Sequence, residues 1–350
     1  MKMLITLDFP PEHGGIQRYL YGIVKFTYSK EDCVLIGCSV KNILTFKELP
    51  PCIHTFSTPL SGWNKKISCI PIFICFLKTT LRGKKYEIEC GNVYAAIVPW
   101  LASFFLKKIN YSVYTYGTEL TGLAKPSVHN FIIKKILCKA DKIYALGGYT
   151  AGLLKTTGIK KKTVVFPPRI ELPKYTGNNP DMSILHLLCV GRLVPHKGHS
   201  VLIEAVSMLP DNIFWKCVIV GDGPQLYILN ALSAKKGIND RVIIKTNVSD
   251  DELWKEYEKA SIFILPSIID KGTEGFGIVL LEAMAHSVPV IASNTGGIAE
   301  VLDNGSCGVL VEPGNAAAIS EAIKKLYGDI NLRSALSQKA YNRVRTFYAW

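Results

Sequence analysis

Short runs of apolar and β-branched residues alternate along the chain with longer stretches whose apolar positions recur at helical spacing. Such runs, bounded by Gly, Pro or Asp, read as strands buried on both faces, and their alternation with helical stretches implies parallel sheets. In the first half the pattern predicts strands at Met3–Leu7, Cys33–Cys38, Ile88–Glu89 with its flanks, Tyr111–Thr115, Lys142–Leu146 and Thr163–Phe166. A second series follows at Ile184–Val190, Trp215–Val220, Val242–Ile244, Ile262–Leu265, Val288–Ile291 and Gly308–Val311. The tract Glu171–Pro180 between them is polar and broken by prolines, which suits a linker. The expected fold class is therefore α/β, with two domains at residues 1–172 and 173–350.

Composition fits two such domains: the chain has 350 residues, and 48% of them are apolar. Ten cysteines, with no Cys-x-x-Cys pair and many inside apolar segments, read as reduced core residues of a cytoplasmic protein. Met1 leads almost directly into the first strand, so no signal peptide is expected.

Charge changes the picture of the first half only. Met1–Arg169 holds 24 Lys and Arg against 9 Asp and Glu, whereas the remainder holds 17 against 19. Lysines dominate, and no helix-turn-helix, zinc-finger or aromatic RNA-binding signature accompanies them, which argues against nucleic acid as a partner. Two apolar runs in this half, Ile67–Leu77 and Val93–Leu106, are too short to span a bilayer and are interrupted by Pro71 and Pro99. They read as helices covering a sheet. Trp63–Lys66 ahead of the first run and Lys84–Lys85 after it would also suit docking on anionic lipid at the inner membrane face.

Candidate chemistry gathers at the ends of predicted strands. Glu274-Gly-Phe-Gly-Ile-Val-Leu-Leu-Glu282 follows the strand Ile262–Leu265 and opens a helix near Phe276. It thus lies at the carboxyl end of a parallel strand, where open α/β sheets bind ligands. The free N–H groups of Gly275 to Ile278 in the first turn would favour an anion. Backbone donors for phosphate, with one acid for sugar hydroxyls and another for ribose hydroxyls, are what a nucleotide diphosphate-sugar needs. An ordinary Gly-rich turn carrying two solvated acids is the other reading of this segment taken alone. Val190-Gly-Arg-Leu-Val-Pro-His-Lys-Gly-His199 adds Arg192 and Lys197 at the end of another strand, placed to bracket a diphosphate and stabilise it as a leaving group. Asp8–Gln17 contains the Gly14-Gly15 turn ahead of a helix predicted at Arg18–Lys25, and Tyr116-Gly-Thr-Glu119 ends another strand. His13, His196, His199 and His286 lack ligand spacing, and no metal site is assigned.

Taken together, Phe9–Gln17, Gly117–Glu119, Ala140-Asp141 with Tyr149-Thr150, Gly191-Arg-Leu193 with Lys197-Gly198, Gly221–Pro224, Pro266-Ser267, Glu274–Glu282 and Gly296-Gly297 with Glu300 resemble the retaining glycosyltransferase family 4. The Pro-Pro-Glu-His-Gly-Gly-Ile-Gln opening is similar to that of phosphatidylinositol mannosyltransferases. The resemblance implies the GT-B fold: two Rossmann-like domains facing each other across a cleft, the first for acceptor and the second for nucleotide-sugar donor. It also implies a last helix crossing back to the first domain, about where the sequence stops at Trp350.

Carried over by position, Arg192 and Lys197 would hold the diphosphate, Glu274 the donor sugar and Glu282 the ribose. Gly191 and the amides of Gly275, Phe276, Gly277, Ile278 and Val279 would meet the donor, and Gly15 its phosphates. Gly14, Tyr116 and Glu119 would line the acceptor side. The implied reaction retains anomeric configuration and needs no metal, with mannose from GDP-mannose and a lipid-linked or glycan acceptor as expected substrates. A non-catalytic sugar-nucleotide-binding subunit and a sugar-nucleotide epimerase are the alternatives. The sequence departs from the family at Tyr116, where a histidine is usual, at Gly147 and Thr246, and at His196, where an acid is common.

Overall fold

The computed structural model describes residues 1–10, 14–38, 49, 52–57, 69–81, 85–106, 108–123, 125–173, 183–270 and 274–350. Trp63–Lys66, Lys84 and all but the first three residues of the linker tract lie outside them, as do Pro11–His13 of the opening motif. The chain divides into two compact units, Met1–Pro168 and Arg169–Trp350.

The first unit is built on β1 (Lys2–Thr6), β2 (Cys33–Cys38), β3 (Cys52–Ser57), β4 (Glu87–Cys90), β5 (Tyr111–Thr115), β6 (Lys142–Ala145) and β7 (Lys162–Val165). All pair in parallel, in the order β3-β2-β1-β4-β5-β6-β7. Helices α1 (Gly15–Thr27), α2 (Cys69–Leu81), α3 (Ile97–Ala102), α4 (Val128–Lys139) and α5 (Gly148–Thr156) connect them. Central strands such as β5 are buried along their whole length, which is why they read as unbroken apolar runs. The edge strand β3 was not expected: it alternates with polar residues and leaves His54 exposed, so it lacks that signal. One face of the sheet packs through Ile72 and Phe76 of α2, Val98 of α3 and Ile133 and Ile136 of α4.

The second unit carries β8 (Leu185–Val190), β9 (Trp215–Val220), β10 (Val242–Lys245), β11 (Ile262–Leu265), β12 (Val290–Ser293) and β13 (Val309–Val311). These form a parallel sheet in the order β10-β9-β8-β11-β12-β13. Its helices are α6 (His199–Val206), α7 (Leu226–Lys235), α8 (Asp250–Lys259), α9 (Ile278–Ala285), α10 (Ile298–Val301), α11 (Ala316–Gly328) and α12 (Ile330–Phe347). Ser249 and Glu252 close a capping box on α8, and Asp329 caps α12. The Gly-rich turn starts its helix two residues later than expected, at Ile278 with Gly277 as N-cap. Likewise β12 begins only after Pro289, which has no N–H for the ladder, and runs on to Ser293.

Both sheets reverse their winding once. In the first unit the reversal falls between β1 and β4, and in the second between β8 and β11. Each reversal opens a crevice at the carboxyl ends of two adjacent strands, the place where doubly wound sheets take ligands.

Candidate functional site

In the second unit that crevice is lined by the loops leaving β8 and β11. The β8 loop turns at Gly191, whose N–H donates to Val220 O at 2.9 Å, and passes through a short 3-10 turn at Pro195–Lys197 into α6. Gly198 closes the turn at φ 68°, and a Cβ there would stand 1.9 Å from the Pro266 carbonyl oxygen. Only glycine lets the two loops come this close. The Ile268 N–H donates to His196 O at 2.9 Å and ties them further.

A third loop, after β12, fixes Glu274. The Gly297 N–H donates to Glu274 O at 2.9 Å, and Gly296, at φ 59°, packs so that a Cβ would lie 1.9 Å from that same oxygen. Sequence positions far apart thereby meet: Lys197 Nζ donates a short charge-assisted hydrogen bond to Glu274 Oε2, which Ser267 Oγ approaches at 3.4 Å. Lys197 and Glu274 side chains are only 15% and 13% exposed. Burial pushes the Glu274 carboxyl up, but the Lys197 cation and its hydrogen bond outweigh burial and hold it below the ordinary carboxylate range. Arg192 stands exposed on the same β8 loop.

The first turn of α9 begins beside Glu274. Gly275, Ile278 and Val279 are partly exposed, and the amides of this turn are ones that an α-helix leaves without intrahelical partners. Phe276 differs: its ring is 2% exposed and packs edge-on against Tyr348 at 5.7 Å, so any ligand would meet its backbone and not its side chain. Glu282 is buried one helical turn and more along α9. Tyr257 of α8 donates to Glu282 Oε2 at 2.8 Å, and the Tyr257 ring is stacked with His286, 5.2 Å away.

Two histidines flank the cation. Burial, with Lys197 beside it, lowers the pKa of His196. The same causes push His199 to about 4, so its ring is neutral; it is buried and neither nitrogen has a hydrogen-bond partner among the described residues.

The remaining candidates belong to the first unit. Gly14 is the N-cap of α1 and Gly15 its first residue. At the carboxyl ends of β1 and β4, Asp8 accepts from Asn92 Nδ2 at 2.5 Å and from Gln17 Nε2 at 3.4 Å. After β5, Tyr116 is buried with its hydroxyl donating to Gly91 O, and its N–H donates to Glu119 Oε1 at 2.6 Å. Burial, opposed by backbone N–H groups and reinforced by Asp8, raises the Glu119 carboxyl to about 7. Tyr257 and Asn92 carry no motif, Asp8 and His199 only bound the Asp8–Gln17 and Val190–His199 segments, and the sequence reading gave none of the four a role in the site.

Residues 178–343 match the family model for glycosyl transferases group 1. Over 99% of its length the chain is 24% identical to the GDP-mannose-dependent alpha-(1-6)-phosphatidylinositol monomannoside mannosyltransferase of Mycobacterium tuberculosis, covering 94% of that protein. The whole chain superimposes on 96% of sucrose-phosphate synthase from Thermosynechococcus elongatus with a TM-score of 0.84 at 19% identity. It superimposes on 96% of Anabaena HepE, solved with UDP-glucose, with a TM-score of 0.79 at 20% identity. Residues 178–343 are therefore similar to a glycosyl transferases group 1 domain, and the two parallel-sheet α/β units of the chain are those of the GT-B fold.

Proposed function

We propose that this chain is a retaining, metal-independent hexosyltransferase that takes mannose from GDP-mannose and delivers it to a lipid-linked or glycan acceptor, working at the cytoplasmic side of a membrane. The observation that carries the proposal is the Lys197–Glu274 pair at the β8/β11 crevice, with Arg192 exposed on the same β8 loop and the α9 first turn following Glu274. Two cations and a helix N-terminus at one crevice suit a departing diphosphate, and an acid beside them suits a hexose.

In the proposed reaction the bond between the anomeric carbon and the β-phosphate oxygen breaks while an acceptor hydroxyl bonds to that carbon from the same face. The hydroxyl proton passes to the departing diphosphate. Lys197 and Arg192 neutralise the charge that develops on the diphosphate, the work a metal ion does elsewhere. Glu274 steadies the sugar and its developing positive charge, and Glu282 holds the ribose. Binding the donor draws Lys197 from an all-protein pair towards the phosphates. The mannose assignment is supported by the name of the mycobacterial relative and the similarity over nearly the whole chain.

The test is transfer from GDP-mannose, UDP-glucose and UDP-galactose to a mixed lipid extract, with and without EDTA, read by mass spectrometry for product and by NMR of the anomeric proton for configuration. Mannosylated product with retained configuration and undiminished by EDTA supports the proposal. Product from a UDP-sugar alone would replace the donor assignment, and product from donor without acceptor would favour an epimerase.

A further inference from the structure

The turn that opens α9 is supported from inside the second unit by the end of α12. Phe276 sends its ring away from solvent, and that ring meets the Tyr348 ring edge-on, with centroids 5.7 Å apart and planes at 77°. Tyr348 is buried as well, so the contact is an interior one. Close-packed interiors have little free volume to absorb a shift, and a movement of the Phe276 backbone is therefore passed to Tyr348. Tyr348 is also the C-cap of α12, and a helix leaves its last carbonyls without intrahelical partners. The Ile170 N–H donates to Tyr348 O at 2.8 Å, and the Trp350 N–H donates to Ile170 O at 3.2 Å, so that Ile170 and Ala349 form a parallel bridge. Ile170 is the second residue of the unit that begins at Arg169. Tyr348 thus touches the α9 turn through its ring and the entry segment of the unit through its carbonyl.

A second tie runs from the same helix to the same turn. Arg343 Nε donates to Val301 O and Nη2 to Glu300 O, both at 2.8 Å, which satisfies carbonyls at the end of α10. The other end of α10 opens at Gly297, whose N–H donates to Glu274 O at 2.9 Å. A Cβ on Gly297 would stand 2.3 Å from Gly275 O, so this loop lies directly against the turn. The Arg343 guanidinium lies 5.9 Å from the centre of the Tyr348 ring, which joins the two ties.

We propose that Tyr348 is a positioning residue for the Gly275–Val279 turn, and that a diphosphate held by that turn is transmitted to Ile170 through the Phe276–Tyr348 contact. The inference rests on the reading of the turn as the diphosphate-sugar site. A bound diphosphate fixes the Phe276 backbone, the ring beneath it loses freedom, and the Tyr348 carbonyl is held on the Ile170 N–H. Coupling of this kind is reciprocal: the factor by which ligand slows opening at Ile170 is the factor by which the closed Ile170 bridge tightens ligand. Tyr348 is buried behind Phe276 and acts through it, so its effect falls on donor binding and not on the bond-breaking step.

Amide hydrogen exchange of the full chain, followed in peptides that contain Ile170, tests it with and without saturating GDP and, separately, UDP, each nucleotide also being titrated by calorimetry. In the wild type a bound nucleotide should slow exchange at Ile170 about fivefold or more. Tyr348→Leu keeps apolar bulk and loses the edge-on ring. It should abolish most of that slowing and raise the nucleotide Kd and the donor KM about fivefold, with kcat nearly unchanged. Tyr348→Phe should restore both. A tyrosine that only filled space would lower the thermal midpoint when replaced and leave the ligand-dependent slowing in place. If Tyr348→Leu does not fold, Phe276→Leu approaches the contact from the other side and should show the same loss, and the wild-type measurement needs no substitution. A nucleotide that binds without changing exchange at Ile170 would overturn the inference and leave the donor-site reading intact. Binding of neither nucleotide would remove that reading and the inference with it.

Discussion

Lys197 and Glu274 lie 77 residues apart in sequence, yet the lysine ammonium donates directly to the glutamate carboxylate across the crevice between β8 and β11. Three loops converge to make the pair, with Gly198 against Pro266 and Gly296 against the Glu274 backbone. The pair is mostly shielded from water, so each charge is held at an energetic cost that its partner offsets. In the proposed reaction a diphosphate entering the crevice would offer Lys197 a stronger anion, and Glu274 would then be released towards the sugar.

Lys197→Met keeps the aliphatic stem and removes the charge. Turnover should fall about a hundredfold or more, the scale of losing one transition-state donor. Circular dichroism should be unchanged, and a variant of unaltered kcat would remove Lys197 from the mechanism.

Gly198→Ala should damage the fold of the site and not only its chemistry. The residue sits at φ 68° with no room for a Cβ beside Pro266 O. The left-handed conformation alone costs an alanine about 1 kcal/mol or more, and the overlap adds to it. A thermal midpoint lowered by several degrees, with donor affinity lost in parallel, is the expected result; an unchanged midpoint would show that the two loops do not meet this closely.

Much of this frame was legible in sequence. Strands β5, β9 and β11 match their predicted ends because each is a largely buried run rich in β-branched and aromatic residues that ends within two residues of a Gly or Pro. The motif from Glu274 to Glu282 was visible as two acids around a Gly-rich turn. What could not be read was tertiary. Lys197 and Glu274 each looked like a ligand group, and nothing local says that they pair, since the contact depends on strand order. Tyr257 is an ordinary inward tyrosine of an amphipathic helix, and only the packing of α8 on the second sheet brings its hydroxyl to Glu282.

Tyr257→Phe deletes that hydroxyl and leaves the Glu282 carboxylate less firmly placed. Donor KM should rise about fivefold to tenfold, the worth of one ordinary hydrogen bond, with kcat nearly unchanged. With a 2′-deoxyribose donor the difference between wild type and variant should shrink. A kcat effect with unaltered KM would separate Tyr257 from ribose binding.

His199 gives a pH signature. Its ring is held near pKa 4 in the folded chain, below the unfolded value of about 6.5. The unfolded chain therefore takes up a proton first as pH falls, and stability is lost from about pH 6.5 down to about pH 4, where the loss levels off. The difference amounts to about 3 kcal/mol. Urea unfolding of His199→Leu against wild type across this range should show the variant relatively more stable at the acid end. Parallel curves would mean that His199 titrates normally.

The most direct measurement is a crystal structure with GDP-mannose bound. The diphosphate should lie within hydrogen-bond distance of Lys197, Arg192 and the amides of Gly275 to Val279, with the hexose against Glu274. A diphosphate lodged away from the β8/β11 crevice, with the Lys197–Glu274 pair untouched, would contradict the assignment.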